Sequence, residues 1–431
     1  MGVTAAFRRS VFLPGVVLLL VLPFGVAAAA GHLHGSLDPS FGSRGIVKTT
    51  MGSDALANAL AIQNDGKLVA AGEGTKGTNT VFALTRYKRD GSLDRGFGSG
   101  GRVLTPIGSD AVAHALVIQK DGKLVAAGYS STASLASHAF TLVRYDSSGD
   151  LDPSFGSDGK VVTPIGDDAA ASALVIQPDG KPVAAGFTRK LGRGVFALAR
   201  YLANGSLDPT FGSAGIVTTA VGSGTLASAV LANFGLALQS DGKVVIAGEG
   251  TVRGRHEFAL ARYRPDGSLD RTFGVGGKVL TRIGSDGAFA NALAIQPDGK
   301  LVAAGSGVDF LLARYKPDGS LDPTFGSAGT VTTPIGDDAE AYALVIQPDG
   351  KLVAGGTSLN DITLVFAVAR YKPNGRLDQT FGRGGKVTTP IGTDDSASFA
   401  LIRQPDGNLV AAGYQGATFD DNSFALVRYR K

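Results

Sequence analysis

The chain has 431 residues, of which 44% are hydrophobic and only 18% charged, with a formal net charge of +4. That balance excludes a disordered chain, and the interspersed acidic and basic residues leave no nucleic-acid-binding patch. Cysteine is absent, which excludes a disulfide framework and a lipid-anchored cysteine.

Residues 1–30 differ from everything after them. Arg8 and Arg9 form a basic start, Ser10 to Val26 is apolar, and Ala27 to Ala30 supply the small residues that cleavage needs. The stretch is nearly long enough to span a bilayer, but Pro14 and Pro23 interrupt it and no charged stop-transfer cluster follows. The expectation is a cleaved signal peptide and a mature protein that is secreted or held in the cell envelope, with no membrane span left. Cleavage removes two arginines and lowers the formal charge from +4 to +2.

From residue 54 the chain settles into a unit that repeats. Ala59 to Gln63 is a short apolar run, Asn64-Asp65-Gly66 a tight turn, and Lys67 to Gly72 a second run, which together predict a hairpin. A polar loop leads into Val81 to Tyr87. A second turn at Asp90-Gly91 then returns the chain through Leu93 to Phe97, with Gly101 to Ile107 extending the last strand. The runs are apolar on both faces, so both faces of each sheet need cover. Arg-Tyr followed by Leu-Asp-x-x-Phe-Gly recurs seven times, its final phenylalanines being Phe41, Phe97, Phe155, Phe211, Phe273, Phe325 and Phe381. A period of this length points to a propeller or a solenoid.

The chain ends favour a ring. Residues 36–50 hold only the fourth strand of a unit and residues 394–431 only the first three. Joined, they remove an exposed edge, a complementarity that an open solenoid does not need. The expected fold is all-β: a seven-bladed β-propeller of four-stranded antiparallel blades, the N-terminal strand completing the last. The blades span approximately 54–107, 110–165, 167–221, 223–283, 285–335, 337–391, and 394–431 with 36–50.

Two linked motifs, Gln296 to Gly305 (QPDGKLVAAG) and Arg314 to Gly326 (RYKPDGSLDPTFG), recur in order through nearly all of the chain after residue 35. On these the chain resembles the delta-60 repeat family, β-propeller repeats of bacterial proteins without an assigned function, and less closely NHL-type repeats. Pro182 and Asn408 depart from the pattern, standing where leucine and lysine are usual. The resemblance implies a propeller and adds no reaction.

Each motif arginine lies eight residues before the motif aspartate, as in Arg86/Asp94, Arg144/Asp152, Arg200/Asp208, Arg262/Asp270, Arg314/Asp322 and Arg370/Asp378. Across the turn the two should form a fork-like pair, and ring closure would give Arg428 its partner in Asp38. A pair present in every unit is expected to be structural.

The loops between units read Gly-x-Asp in six cases, at Asp54, Asp110, Asp168, Asp286, Asp338 and Asp394, and they enter the innermost strands. These carboxylates either ring the channel mouth, where a hard cation such as calcium would fit, or bond to nearby backbone amides. In the fourth unit Gly224 replaces the aspartate, and an apolar insertion carries Leu226, Val230, Leu231 and Phe234. Loops between second and third strands vary most and should emerge on the same face. That makes Arg253, Arg255, His256 and Tyr414 the leading ligand-binding candidates, with Tyr129 and Phe187 as further exposed aromatics.

No nucleophile motif, metal-ligand spacing or cofactor signature appears. The expected function is a monomeric binding or scaffold module for an extracellular glycan, peptide or surface protein. Its alternatives are an extracellular lyase or hydrolase with a metal-assisted site at the channel mouth, and a purely structural repeat domain.

Overall fold

The computed structural model describes residues 34–131, 137–190, 192–223, 234–285, 287–417 and 421–431. Among the described residues it contains 28 β-strands and no helix. One unit shows the plan: β2 (Ala55–Ile62), β3 (Leu68–Lys76), β4 (Asn79–Tyr87) and β5 (Arg102–Thr105) form an antiparallel meander in sequence order. Its first turn is local chemistry. Gly66 takes φ of 81°, and Asp65 Oδ1 accepts the Lys67 amide at 3.0 Å, so Asn-Asp-Gly closes the hairpin through contacts within the turn itself.

The plan repeats in β6–β9 (residues 111–163), β10–β13 (168–219), β14–β17 (235–281), β18–β21 (289–333) and β22–β25 (338–389). A single bridge, Ser306 to Glu340, joins the last two of these sheets. The remaining sheet is assembled from both ends of the sequence. In it β26 (Asp395–Arg403), β27 (Leu409–Gly416) and β28 (Ser423–Tyr429) are followed by β1 (Ile46–Thr49), which pairs antiparallel with β28 from Ile46↔Val427 to Thr49↔Phe424.

One sequence expectation changes. The Leu-Asp-x-x-Phe-Gly segment does not belong to the fourth strand. Leu93 makes one isolated bridge to Tyr87, and the chain then turns back, the Phe97 amide bonding to Asp94 O at 3.0 Å and Gly98 taking φ of 49°. Only four residues, Arg102–Thr105, form the strand. A turn serves better here because it buries Phe97 completely and brings Asp94 back toward Arg86.

The core lies between neighbouring sheets. Val69, Ala71, Phe82 and Leu84 pack with Ala111, Leu116, Leu124 and Val143 of the next unit, and Leu68, Ala70 and Tyr87 pack with Val410, Ala412, Phe424 and Leu426. Each fully buried Leu, Val or Phe stabilises the fold by about 1.5–3 kcal/mol, which is why these strands are apolar on both faces. The first strands contact one another in succession, β2 with β6, β6 with β10, onward to β26, and β26 with β2.

Small residues in the second strand make this close approach possible. A Cβ on Gly72 would lie 1.8 Å from Leu56 O, where β2 shifts register between Ala57 and Ala59. The Ala-Ala-Gly signature thus makes room for a β-bulge in the neighbouring strand. Similar shifts occur in β6, β10, β18, β22 and β26.

Candidate functional site

The repeated arginines sit where turn and core meet. Arg86 Nε lies 2.8 Å from Asp94 Oδ2. The corresponding distances are 2.7 Å for Arg144–Asp152, 2.9 Å for Arg200–Asp208 and Arg262–Asp270, and 3.0 Å for Arg314–Asp322 and Arg370–Asp378. Arg428 Nη2 lies 2.9 Å from Asp38 Oδ2, across nearly the whole sequence.

Each guanidinium also stacks on its motif phenylalanine, 4.5–4.7 Å from the ring centre. Several reach a backbone carbonyl of the following unit, as Arg144 does to Ala203 O at 2.6 Å and Arg428 to Arg89 O at 2.6 Å. Burial pushes the Asp152 carboxyl up. Hydrogen bonds from Lys123 and Ser154 and the Arg144 charge outweigh it and hold the group well below the ordinary range. Where Asn408 replaces the lysine, its amide still reaches Asp38 at 3.5 Å. The motif tyrosines tie each unit backward, Tyr145 donating to Thr105 at 2.8 Å and Tyr87 to Thr49 at 2.9 Å.

The inter-unit aspartates lie at the opposite ends of the sheets, where first strands begin and second-to-third-strand turns project. This is the turn face. Asp168 accepts the His138 backbone amide at 2.8 Å and its Nδ1 at 2.9 Å. Asp54 accepts Asn422 Nδ2 at 2.8 Å. Asp110 pairs with Thr80 through an isolated bridge and lies 3.8 Å from His138 Nε2.

In the last unit it is Asp395, not Asp394, that accepts an amide from the preceding sheet, that of Leu364 at 2.9 Å. Asp394 instead receives Gln415 Nε2 at 2.7 Å. Asp338 Oδ1 is buried without a partner, and burial, with the charge of Asp309 adding to it, raises its pKa. The loop carboxylates at 54, 168 and 395 thus latch onto the third-strand side of the preceding sheet. Among the described residues no three His, Cys, Asp or Glu converge as metal ligands. Asp286, Gly224, Leu226, Val230 and Leu231 lie outside the described residues.

The variable-loop candidates separate. Arg253 and Arg255 are exposed at the hairpin tip, Arg253 with φ of 49°. His256 points the other way, 2.9 Å from Glu249 and stacked on Phe289 at 4.7 Å, because alternate residues of a strand face opposite sides. Tyr129 and Phe187, expected to be exposed, are buried, while Tyr414 is half-buried. Phe234 is buried edge-on against Phe196 at 5.7 Å.

Around Tyr129, Tyr414 and His256, which the sequence singled out, this face holds a wider population that sequence reasoning missed. The chain has four glutamates, Glu73, Glu249, Glu257 and Glu340, and three tyrosines outside the Arg-Tyr pairs, Tyr129, Tyr342 and Tyr414. All seven, together with His114, His138 and His256, lie in the half of each sheet next to the turn face. His114, Tyr342 and Phe399 occupy the bulges of their first strands. Tyr342, Phe399 and Tyr414 form an aromatic run, with ring centres 5.3 and 6.0 Å apart.

Burial raises the Glu73 carboxyl to about 7, with Asp54 and Asp110 adding to the shift. Burial alone lowers His114 to about 4, whereas the Asp168 hydrogen bond raises His138. Subtracting the repeat from the sequence would have exposed these residues, since glutamate and the additional tyrosines appear nowhere in the repeated motifs.

Six stretches, residues 63–97, 119–155, 177–211, 239–273, 296–325 and 347–381, match the family model described as a domain of unknown function (DUF5122) beta-propeller. Each covers second strand, third strand and the turn to the motif phenylalanine. No curated protein matches the chain. Among solved structures, the polysaccharide lyase Uly1 is 12% identical at a TM-score of 0.50, over 87% of this chain and 90% of its own. A protein of unknown function from Dyadobacter fermentans is 13% identical at 0.48, over 90% and 99%. A gluconolactonase from Xanthomonas campestris is 14% identical at 0.38, over 78% and 95%. At such identities the likeness to the lyase speaks for fold alone. Six repeat matches, carried on antiparallel four-stranded sheets, make this chain a β-propeller repeat protein.

Proposed function

We propose that the protein is an exported, seven-bladed propeller, closed by its N-terminal strand, that binds a peptide segment of an extracellular partner across its turn face. Closure is supported by the β1–β28 pairing and by the Arg428–Asp38 pair. It also fits the residue 404–431 segment, which has the start of a seventh repeat and finds its end at Phe41. Export rests on the sequence of residues 1–30 alone.

The observation that carries the binding proposal is the gathering of the four glutamates, the three tyrosines outside the Arg-Tyr pairs, and His114, His138 and His256 on one face. The aromatic run of Tyr342, Phe399 and Tyr414 offers flat half-buried surface, and Asp54, Glu73 and Asp110 follow it with net negative charge. Rings beside carboxylates complement a peptide carrying apolar and basic side chains. At the motif belt on the opposite side the repeated arginines and aspartates are spent on internal pairs.

The test is a random-peptide display selection against the immobilised protein, run beside a glycan array. Enriched peptides that lose binding to a Phe399→Ala, Tyr414→Ala double variant with unchanged melting support the proposal. Glycan hits without peptide enrichment, or peptides indifferent to the double variant, overturn it.

A further inference from the structure

Two glutamates occupy the same place in two different sheets. Glu249 in β15 pairs with Phe258 of the neighbouring strand, two residues from His256, and Glu73 in β3 pairs with Phe82, two residues from Thr80. Glu249 has the His256 imidazole 2.9 Å away. At Glu73 the corresponding position is a threonine, itself engaged with Asp110. Glu73 has no hydrogen-bond or ion-pair partner among the described residues, although its carboxyl is largely enclosed and keeps only a partly accessible edge.

Its surroundings make the vacancy more expensive to leave. Asp54 approaches from the loop before β2 and Asp110 from the loop before β6, both adding negative charge. Tyr129 on β7 is 7% exposed, its hydroxyl without a hydrogen bond among the described residues, under the influence of Asp110, Glu73 and Asp168. His114 on β6 is neutral at physiological pH, since burial lowers it to about 4. The other imidazole of this neighbourhood, His138, is already placed between Asp168 and Asp110. A buried carboxyl with like-charged neighbours either keeps its proton or acquires a cation. The carboxylates do not converge as metal ligands, so the gap suits a larger, hydrogen-bonding cation that several acceptors and an aromatic edge can share.

Resting on the peptide-binding function above, we propose that the Glu73 carboxylate takes the cationic side chain of a lysine or arginine from the bound peptide, which stands beside Glu73 as His256 stands beside Glu249. Binding then releases the proton that Glu73 otherwise holds. Affinity rises as pH increases from 6 to 8, because the ionised carboxylate is the form that pairs.

The small number of glutamates makes this readable. Selective carbon-13 labelling of the glutamate carboxyl gives four signals, for residues 73, 249, 257 and 340. The Glu73 signal is followed through a pH titration without and with N-acetyl-lysine methylamide, N-acetyl-arginine methylamide, and the uncharged N-acetyl-norleucine methylamide. The expected result is a saturable fall of the Glu73 midpoint by at least one pH unit with a cationic probe and none with norleucine. One unit corresponds to about a tenfold preference for the ionised form. Calorimetry on Glu73→Gln should show cationic-probe affinity at pH 8 at least tenfold weaker, and Tyr129→Phe a smaller loss. The three remaining glutamate signals report that each variant is folded.

An unmoved Glu73 midpoint, an equal response to norleucine, or unchanged affinity in Glu73→Gln overturns the proposal. A response to spermidine without one to the capped amino acids also overturns it, in favour of a free amine. Selected peptides that bind the turn face and tolerate norleucine for every basic residue would sink this inference while leaving the peptide-binding function intact. Failure of the peptide selection itself removes that function first.

Discussion

The two ends of each sheet have been built under different rules. At the motif belt every unit carries arginine, aspartate and phenylalanine with ion-pair distances within 2.7–3.0 Å in all seven cases. At the turn face the corresponding positions differ from unit to unit: Glu73, Tyr129, Phe187, Glu249, Ser306, Thr357 and Tyr414 occupy one structural position in seven sheets. Repetition at one end holds neighbours together. Variation at the other sets packed side chains such as Phe187 beside ionisable groups of which Glu73 keeps an unmet need. In a repeat protein, the residues that break the period are therefore the ones to question about function.

The largest expected effect would break the belt. Asp208→Ala leaves Arg200 buried at 6% exposure without its counter-ion, and should destabilise by about 3–5 kcal/mol in denaturant unfolding. Asp38→Ala should lose as much if the N-terminal segment is integral to the last sheet; a near-neutral Asp38→Ala would mean that β1 is a loosely held appendage.

The next effect belongs to the turn face and has the opposite pH sense. The belt aspartates have depressed pKa values, so their contribution is present above the ordinary carboxylate range and is lost only as pH falls through the folded value. Glu73 is raised from 4.5 to about 7, so the folded state holds a proton that the unfolded state has released. Its stabilising contribution is therefore present below 4.5 and lost as pH rises toward 7. Between pH 5 and 8 the protein should lose up to about 3 kcal/mol from this group, a slope that Glu73→Gln flattens in melting curves taken across that range.

Smaller still, Tyr145→Phe removes the hydroxyl that bonds to Thr105 at 2.8 Å and should lower stability by about 1 kcal/mol. Substituting the tyrosine alone leaves the threonine to be satisfied elsewhere. Adding millimolar calcium after EDTA is expected to leave the melting temperature within about a degree, since Asp54 and Asp168 already serve backbone and side-chain donors. A rise of several degrees, the size that a site near saturation gives, would establish the carboxylate ring as a cation site.

What the sequence disclosed depended on the range of the forces involved. Turns such as Asp65-Gly66, and apolar runs such as Leu68 to Gly72, are local, and their strands were legible to within a few residues. The Leu-Asp-x-x-Phe-Gly segment misled because its apolar spacing resembles a strand, whereas the Asp94 and Gly98 turn geometry overrides that pattern. Asp394 and Asp395 were indistinguishable in sequence, since which of the two meets Leu364 depends on the register between sheets.

The Glu73 environment was invisible for the same reason. Its neighbours Asp54 and Asp110 lie on separate loops, and only the assembled sheets bring their charges together. The bulges were hidden too, because a bulge residue such as Tyr342 differs from its strand neighbours only through the partner strand. His256 was singled out with Arg253 and Arg255 by sequence proximity, yet strand alternation sends it away from them and onto Glu249.

The chain ends carry a consequence for engineering. The Gly35 amide bonds to Arg430 O at 2.8 Å, and the Arg430 amide to Ser36 O at 2.8 Å, so the two ends of the described fold run side by side. A short linker joining them would not have to stretch, and a new start could be opened in an exposed connection such as that around Gly100, where the space beside the backbone is free. The covalent order of the units could then be rotated while every interface stayed the same, leaving the break in the backbone as a movable seam.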